Sequence, residues 1–123
     1  MGGKDEGGFM PKLTLVTGLA LVVLGAAADI TGTWTLDARF DDSSLGGDEA
    51  DCAFKQNGEQ LTGNCSGTAL TGEMKGENVR WQLQVGSPPQ TTTYSGTVDE
   101  AGTHMKGTFT LAGKGGHFTA SKQ

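Results

Sequence analysis

Apolar and polar residues alternate along most of the chain that follows residue 29. In the segment 78–85, for example, Val79, Trp81 and Leu83 alternate with Arg80 and Gln82. A period of two places the apolar side chains on one face of a strand and the polar side chains on the other. The same alternation, interrupted by turn-forming residues, predicts strands over 32–40, 49–56, 60–68, 69–75, 78–85, 91–98, 104–111 and 117–122.

A five-residue pattern recurs within these strands: an apolar residue, a small or polar residue, glycine, a polar residue and an apolar residue. The glycine lies on the same face as its two apolar neighbours, because alternate residues of a strand share a face. Glycine weakens a strand unless the strand bends sharply or approaches another backbone closely, and a tightly coiled sheet that closes on itself supplies both conditions. The pattern occupies 30–34, 61–65, 70–74, 94–98 and 105–109.

Short strands joined by turns that contain Gly, Asn or Pro are typical of a meander barrel or a sandwich. The inward glycines favour the barrel, and closure also removes exposed sheet edges. The sequence therefore predicts an all-β fold, a single up-and-down barrel of about eight short strands with one cross-strand disulfide.

The disulfide is predicted from Cys52 and Cys65, the two cysteines of the chain. Asn57-Gly58 between them is a strong hairpin signal, because both residues tolerate a positive φ. A hairpin in which Gly58 faces Glu59 places Cys52 opposite Cys65. Paired cysteines are typical of exported proteins; a redox or metal-binding role for the pair is the alternative.

The N-terminal region has the organisation of a secretory signal peptide. Lys12 precedes an uncharged stretch from Leu13, which ends in the small residues Ala26-Ala27-Ala28. This stretch is shorter and less apolar than the ~20 residues that span a bilayer, so a membrane anchor is the less favoured alternative. The sequence thus predicts an extension and signal peptide over 1–28, cleavage near Ala28, a barrel domain over 29–123, and a secreted or periplasmic location without a stable membrane anchor.

The charge of the chain limits the partners that we expect. The net charge is −5 at pH 7 and no basic stripe is present, which argues against nucleic acids and anionic membranes. The segment 41–51 is rich in carboxylates but fits no calcium-loop template, so we interpret it as a solvated acidic loop that caps one end of the barrel.

No group of residues in the sequence indicates catalysis. His104 and His117 are the two histidines that could act as bases, and both lie at predicted strand starts, where a surface role is favoured. We therefore expect a protein that is not an enzyme, with no cofactor and no metal site.

The segment 30–34, Ile-Thr-Gly-Thr-Trp, resembles the start of the avidin and streptavidin family of small, lipocalin-like (calycin) barrels. The resemblance continues in the same order with Leu-Thr-Gly at 61–63 and 70–72, Val-Arg-Trp at 79–81, Thr-Thr-Tyr-Ser-Gly at 92–96, Met-Lys-Gly-Thr-Phe-Thr-Leu at 105–111 and His-Phe-Thr at 117–119. It implies a barrel fold.

The biotin site that the resemblance implies is incomplete. Trp81 matches an aromatic wall, Thr92 a hydroxyl contact and Leu111 an apolar contact, while Phe109 stands where the family has Trp. The polar residues that hold the ureido group are missing, with Cys65 at the position of a tyrosine and Gly116 at that of an aspartate. A site that depends on buried hydrogen bonds loses most of its affinity without them, so the resemblance supports the barrel and argues against biotin.

We therefore predict a binding module for an unidentified small, partly apolar ligand. Aromatic residues on inward faces either fill the core or line a cavity, since barrels of this size do one or the other. The predicted ligand-binding residues are Trp34, Trp81, Thr92, Tyr94, Phe109 and Leu111. Two alternatives are a protein-binding barrel, such as the periplasmic metalloprotease inhibitors that share a Gly-x-Trp start and one disulfide, and a structural surface protein with a filled interior.

Overall fold

The computed structural model describes residues 28–123. The predicted signal peptide and its extension lie outside the described residues, except for Ala28. Eight strands follow one another: β1 Gly32–Phe40, β2 Gly47–Asn57, β3 Gln60–Cys65, β4 Thr68–Lys75, β5 Asn78–Val85, β6 Gln90–Val98, β7 His104–Leu111 and β8 Lys114–Lys122. A 3-10 turn, Ser43–Leu45, lies between β1 and β2.

Each strand pairs antiparallel with the next one, and β8 pairs with β1, so the sheet is a closed meander barrel. The predicted fold class is confirmed. Within residues 28–123, no helix is long and apolar enough to cross a bilayer.

The predicted strand bounds are wrong at several ends. The segment 113–116 was expected to be a connection, but Gly115 and Gly116 pair with Thr110 and Phe109 of β7. A Cβ at Gly116 would lie 2.5 Å from Phe109 Cε1, so the ring of Phe109 occupies the space that a side chain would need. By contrast, β3 is shorter than predicted. It ends at Cys65 rather than at residue 68, because Ser66 and Gly67 turn the chain with positive φ values of 49° and 86°.

The hairpin of β2 and β3 has the predicted register. Cys52 lies opposite Cys65 and Phe54 opposite Gly63, and the disulfide joins the two cysteines inside the barrel. The turn itself differs from the prediction, since Asn57 is the last residue of β2 and the positive φ of 64° is at Gly58. Glycine at the first central position of a two-residue turn also suits a hairpin.

The glycines of the five-residue pattern do face the interior, next to buried apolar neighbours. At Gly107, which pairs with Gly96, an added Cβ would overlap the carbonyl oxygen of Ser95 and lie 2.9 Å from Phe118 Cε1. The missing side chain therefore lets two strands and an aromatic ring approach closely. Core packing in this small barrel depends on that space.

One hydrophobic core fills the barrel. Its buried members come from every strand, together with Ile30, which precedes β1. They are Ile30, Trp34, Leu36, Ala38, Cys52, Phe54, Leu61, Cys65, Leu70, Met74, Val79, Trp81, Leu83, Val98, Met105, Phe109, Phe118 and Ala120.

Candidate ligand-binding site

The two ends of the barrel differ in what closes them. At one end, which we call the Ile30 end, lie residues 28–31 and the connections 58–59, 76–77 and 99–103. At the other end, which we call the acidic-loop end, lie the connections 41–46, 66–67, 86–89 and 112–113.

The Ile30 end is sealed by apolar contact and by satisfied hydrogen bonds. Ile30 and Trp34 are both completely buried. Trp34 Nε1 donates to the carbonyl oxygen of Ile30 at 2.9 Å, and the backbone N–H of Ile30 donates to Gln56 Oε1 at 3.0 Å. The predicted ligand-binding residue Trp34 therefore has a structural partner here.

The other predicted aromatic residues form a wall across three adjacent strands. Trp81, Tyr94 and Phe109 are register partners on β5, β6 and β7. The ring centroids of Trp81 and Tyr94 are 4.9 Å apart with an interplanar angle of 9°, and those of Tyr94 and Phe109 are 5.5 Å apart at 27°. Phe118 packs edge-on against both Trp81 and Tyr94, with centroids 5.4 Å away in each case.

This wall borders the only two buried side-chain polar atoms in residues 28–123 that lack a hydrogen-bond partner. They are Trp81 Nε1 and Thr92 Oγ1, on residues that are 1% and 4% exposed. Thr92 lies between Leu83 and Leu111 in the sheet, two positions along β6 from Tyr94 and nearer to the acidic-loop end. Buried polar groups are normally paired, since leaving one unpaired costs about 1–3 kcal/mol, so a partner at these two atoms would stabilise the barrel.

The chemistry of the two atoms limits what that partner is. An indole N–H only donates, whereas a threonine hydroxyl both donates and accepts. A single acceptor group, such as a carbonyl or ether oxygen, satisfies either of them. A water molecule is the alternative partner, provided that the space is large enough to hold it.

Tyr94 is the partly exposed member of the aromatic wall. Burial raises the pKa of its hydroxyl, and the carboxylate of Asp48 raises that pKa further. Asp48 lies opposite Ala38, an inward-facing residue of β1. The Tyr94 hydroxyl is thus neutral at physiological pH and lies under the influence of an acidic group.

The acidic loop is fastened to the neighbouring strands. Phe40 N–H donates to the Gly46 carbonyl at 3.0 Å and Asp41 N–H donates to the Gly115 carbonyl at 3.0 Å. The carboxylate of Asp41 also lies 2.7 Å from His117 Nδ1. The segment interpreted as one acidic loop over 41–51 is therefore a shorter loop over 41–46, and its remainder belongs to β2.

The two histidines occupy exposed positions, each beside one aspartate. His104 Nδ1 lies 3.3 Å from Asp99 Oδ2 at the Ile30 end, and His117 contacts Asp41 at the other end. In the described part of the chain, no group of three or more His, Cys, Asp or Glu residues is arranged to hold a metal ion.

Two other clefts are present, and neither lies on the inward side of the aromatic wall. One of about 460 Å³ follows the outside of the sheet over Gly72 and is lined by charges of both signs, including Glu73 and Arg80. Another of about 510 Å³ runs along β6 to β8, near His104 and Met105. Trp81 also lines the first cleft, and the second lies at the Ile30 end, where Val98 and Met105 line it. The candidate site at the acidic-loop end is based on the position of Thr92 along β6 rather than on either cleft.

Five of the six predicted ligand-binding residues are thus neighbours in the barrel, and one is not. Trp81, Thr92, Tyr94, Phe109 and Leu111 lie on β5 to β7, whereas Trp34 lies at the Ile30 end. Phe118 and Phe40, which pack against the aromatic wall, and Asp48 are not among the predicted ligand-binding residues. Phe40 packs against Phe109 with centroids 5.1 Å apart, and the alternation along β2 was a signal that would have placed Asp48 on the inward side.

Comparisons with known proteins show the fold alone. No family model and no curated protein matches the chain. Similar solved structures are b11L5F_LGL, a redesigned β-barrel (16% identity, TM-score 0.61, covering 80% of this chain and 98% of that one), and mFAP1, a redesigned β-barrel bound to DFHBI (16% identity, TM-score 0.56, covering 76% and 94%). A third is a de novo designed fluorescence-activating β-barrel (16% identity, TM-score 0.54, covering 80% and 98%).

These neighbours agree with the small, closed β-barrel described above. They give no support to the avidin family in particular.

Proposed function

We propose that this protein is a binding module for a small, partly apolar molecule, which it takes up at the acidic-loop end of the barrel. The observation that carries the proposal is the pair of buried, unpartnered polar atoms, Trp81 Nε1 and Thr92 Oγ1, beside a stacked aromatic wall. Apolar walls with a few polar groups are typical of small-molecule sites.

The similar barrel mFAP1 supports the proposal, because it holds a small dye, DFHBI. The buried disulfide supports an extracytoplasmic place of action, where such bonds persist. We propose binding rather than catalysis, since the two histidines are exposed and each faces a single aspartate.

A fluorescence titration tests this function. Nile red is a neutral dye with a carbonyl acceptor, and its emission rises in apolar sites; DFHBI serves as a second probe. We expect saturable binding of at least one probe at a ratio of one per chain. Thr92→Val, which keeps the side-chain shape but removes the hydroxyl, should weaken that binding about five- to tenfold, the equivalent of one hydrogen bond of about 1 kcal/mol.

Thr110→Val is the matched control, since Thr110 is exposed on the outer face of β7, opposite Thr93. It should leave the affinity for the probe unchanged. If neither probe binds, the structural-protein alternative with a filled interior gains. If a probe binds both variants as tightly as the unaltered protein, its site does not include Thr92 and the proposed site is wrong.

A further inference from the structure

The tip of the hairpin of β2 and β3 carries an asparagine that is followed directly by glycine. Asn57 and Gly58 are both exposed, and Asn57 pairs in register with Gln60 across the two-residue turn. Within residues 28–123, neither the side-chain amide of Asn57 nor the backbone N–H of Gly58 has a hydrogen-bond partner. No hydrogen bond therefore has to break before these two groups approach each other.

The two groups are chemically complementary. The backbone nitrogen of Gly58 attacks the side-chain carbonyl carbon of Asn57, the bond from that carbon to the side-chain nitrogen breaks, and ammonia leaves with the Gly58 N–H proton. The product is a five-membered succinimide ring, which water opens at either carbonyl to give aspartate or isoaspartate. Glycine favours this attack because it has no Cβ to hinder the approach and has the most adaptable backbone.

The other two asparagines of the chain lack these conditions. Asn64 precedes Cys65, which is buried in the disulfide, and Asn64 Oδ1 accepts a hydrogen bond of 3.3 Å from the backbone N–H of Gly67. Asn78 precedes Val79, which is 1% exposed and lies within β5. These two asparagines are internal controls for the chemistry expected at the hairpin tip.

Gln56 connects this hairpin tip to the chain that seals the Ile30 end. Gln56 Oε1 accepts a hydrogen bond of 3.0 Å from the backbone N–H of Ile30, and the backbone N–H of Gln56 donates to Thr31 Oγ1 at 3.0 Å. Towards the tip, Gln56 Nε2 donates to the carbonyl oxygen of Gly58 at 3.2 Å. This last bond spans the linkage between Asn57 and Gly58, so a change in that linkage displaces one of the partners that hold the Gln56 side chain.

We propose that Asn57 is a site of self-modification, which converts to isoaspartate and loosens the Ile30 end as the protein ages. Isoaspartate routes the main chain through the side-chain carbon, so the chain between residues 57 and 58 becomes longer by one carbon atom. The carbonyl of Gly58 then moves away from Gln56, and the hydrogen bond from Ile30 to Gln56 loses its support. The inference does not involve ligand uptake and is independent of the proposed function.

Incubation of the folded protein in mildly alkaline buffer, sampled over days, tests the reaction. The intact mass should rise by about one mass unit per chain as –NH₂ is replaced by –OH. Peptide mapping should place the change at Asn57, at a rate roughly tenfold above the rates at Asn64 and Asn78, and isoaspartyl methyltransferase should label the product. Asn57→Gln is the control variant and should not react, because its longer side chain would have to close a six-membered ring.

Hydrogen exchange measures the consequence for the Ile30 end. In the isoaspartate fraction, separated by ion exchange, the Ile30 amide and the Trp34 indole N–H should exchange about fivefold faster than in fresh protein, as expected for the loss of one hydrogen bond. The amide of Asp41 at the acidic-loop end should be unchanged. Asn57→Asp adds the same negative charge without the extra main-chain carbon, so its exchange should match that of fresh protein. Melting curves establish that both variants fold.

Three results would overturn the inference: no modification at residue 57 of the folded protein, equal rates at the three asparagines, or unchanged exchange at Ile30 and Trp34 in the isoaspartate fraction. Faster exchange in Asn57→Asp would also overturn it, because the added charge rather than the longer main chain would then be the cause.

Discussion

The two tryptophans of this barrel occupy equally buried positions, yet only one of them has a hydrogen-bond partner. Trp34 donates to the carbonyl oxygen of Ile30 and helps to seal the Ile30 end. Trp81 is as buried as Trp34, but its Nε1 has no partner among the described residues. Trp34 is thus hydrogen-bonded within the fold, whereas Trp81 Nε1 and Thr92 Oγ1 have no partner among the described residues.

This difference is informative because both residues arise from the same sequence pattern. Each lies on the inward face of an alternating strand, and each packs against Phe54, at centroid distances of 6.5 Å for Trp34 and 5.0 Å for Trp81. Burial and ring packing are therefore alike for the two tryptophans. The hydrogen-bonding state of the indole N–H is the difference on which our proposal for Trp81 rests.

The largest expected effect concerns the disulfide, which ties the last residue of β3 to the middle of β2. The bond closes a loop with a sequence separation of 13, so Cys52→Ala with Cys65→Ala should lower the free energy of unfolding by about 3 kcal/mol. Urea denaturation measures the loss. Hydrogen exchange should show more opening at the 66–67 turn of the acidic-loop end than around Trp34; uniform opening would mean that the two ends are equally stable.

The next prediction compares the tryptophans directly. Trp34→Phe leaves the buried carbonyl of Ile30 without its donor, whereas Trp81→Phe breaks no hydrogen bond. We expect Trp34→Phe to be more destabilising than Trp81→Phe by about 1–3 kcal/mol, the usual cost of an unpaired buried polar group. Equal losses in chemical denaturation would show that the hydrogen bond of Trp34 does not distinguish the two ends.

Thr92→Val should raise the stability of the ligand-free protein rather than lower it, and by a smaller amount than the tryptophan substitutions. The substitution removes an unpartnered buried hydroxyl while keeping the shape of the side chain, so the ligand-free protein should gain about 1 kcal/mol. The melting temperature measures this gain, and the Thr110→Val variant provides the reference. A loss of stability instead would mean that a bound water satisfies the hydroxyl.

The smallest expected effect is one that the two ends share. Hydrogen bonds from Thr103 lower the pKa of Asp99 at the Ile30 end, and hydrogen bonds from Ser44 lower the pKa of Asp42 at the acidic-loop end. Because both folded pKa values lie below the ordinary value of 3.8, each carboxylate stabilises the fold above that value. This contribution is lost as the pH falls through the folded pKa.

Melting curves between about pH 5 and pH 2, the range in which such carboxylates titrate, measure these contributions with Asp99→Asn and Asp42→Asn as single variants. In each variant the melting temperature should fall less steeply as the pH decreases. The effect should be small, because both carboxylates are exposed to solvent. A shallower fall in only one variant would show that the two ends differ in this respect as well.

Much of the fold could be predicted from the sequence because its determinants are local. Alternation defines β5 at its observed bounds, and Cys52, Cys65 and Gly58 together define the register of β2 and β3. The errors fall where a tertiary contact decides the outcome. Gly115 and Gly116 look like a flexible connection in the sequence, but β7 and the Phe109 ring bring them into β8.

The candidate site was predictable only in part. Its aromatic residues follow from the inward alternation, and five of the six predicted residues are neighbours. The sequence could not show that Trp34 finds its acceptor in the backbone of Ile30 while Trp81 finds none, because this depends on how the chain before β1 folds into the barrel. Nor could it show that the Asp48 carboxylate raises the pKa of the Tyr94 hydroxyl, since that requires the closure of β1 on β8.

The most direct test of the account is the response of the two indole N–H signals to a ligand. In a ¹H–¹⁵N spectrum of the protein, Trp34 and Trp81 give one indole signal each, assigned with the Trp34→Phe and Trp81→Phe variants. On titration with Nile red, we expect the Trp81 signal to shift downfield as Nε1–H finds an acceptor, while the Trp34 signal stays where it is. A shift of the Trp34 signal alone, or saturation with no change at Trp81, would contradict the assignment of the ligand site to the acidic-loop end.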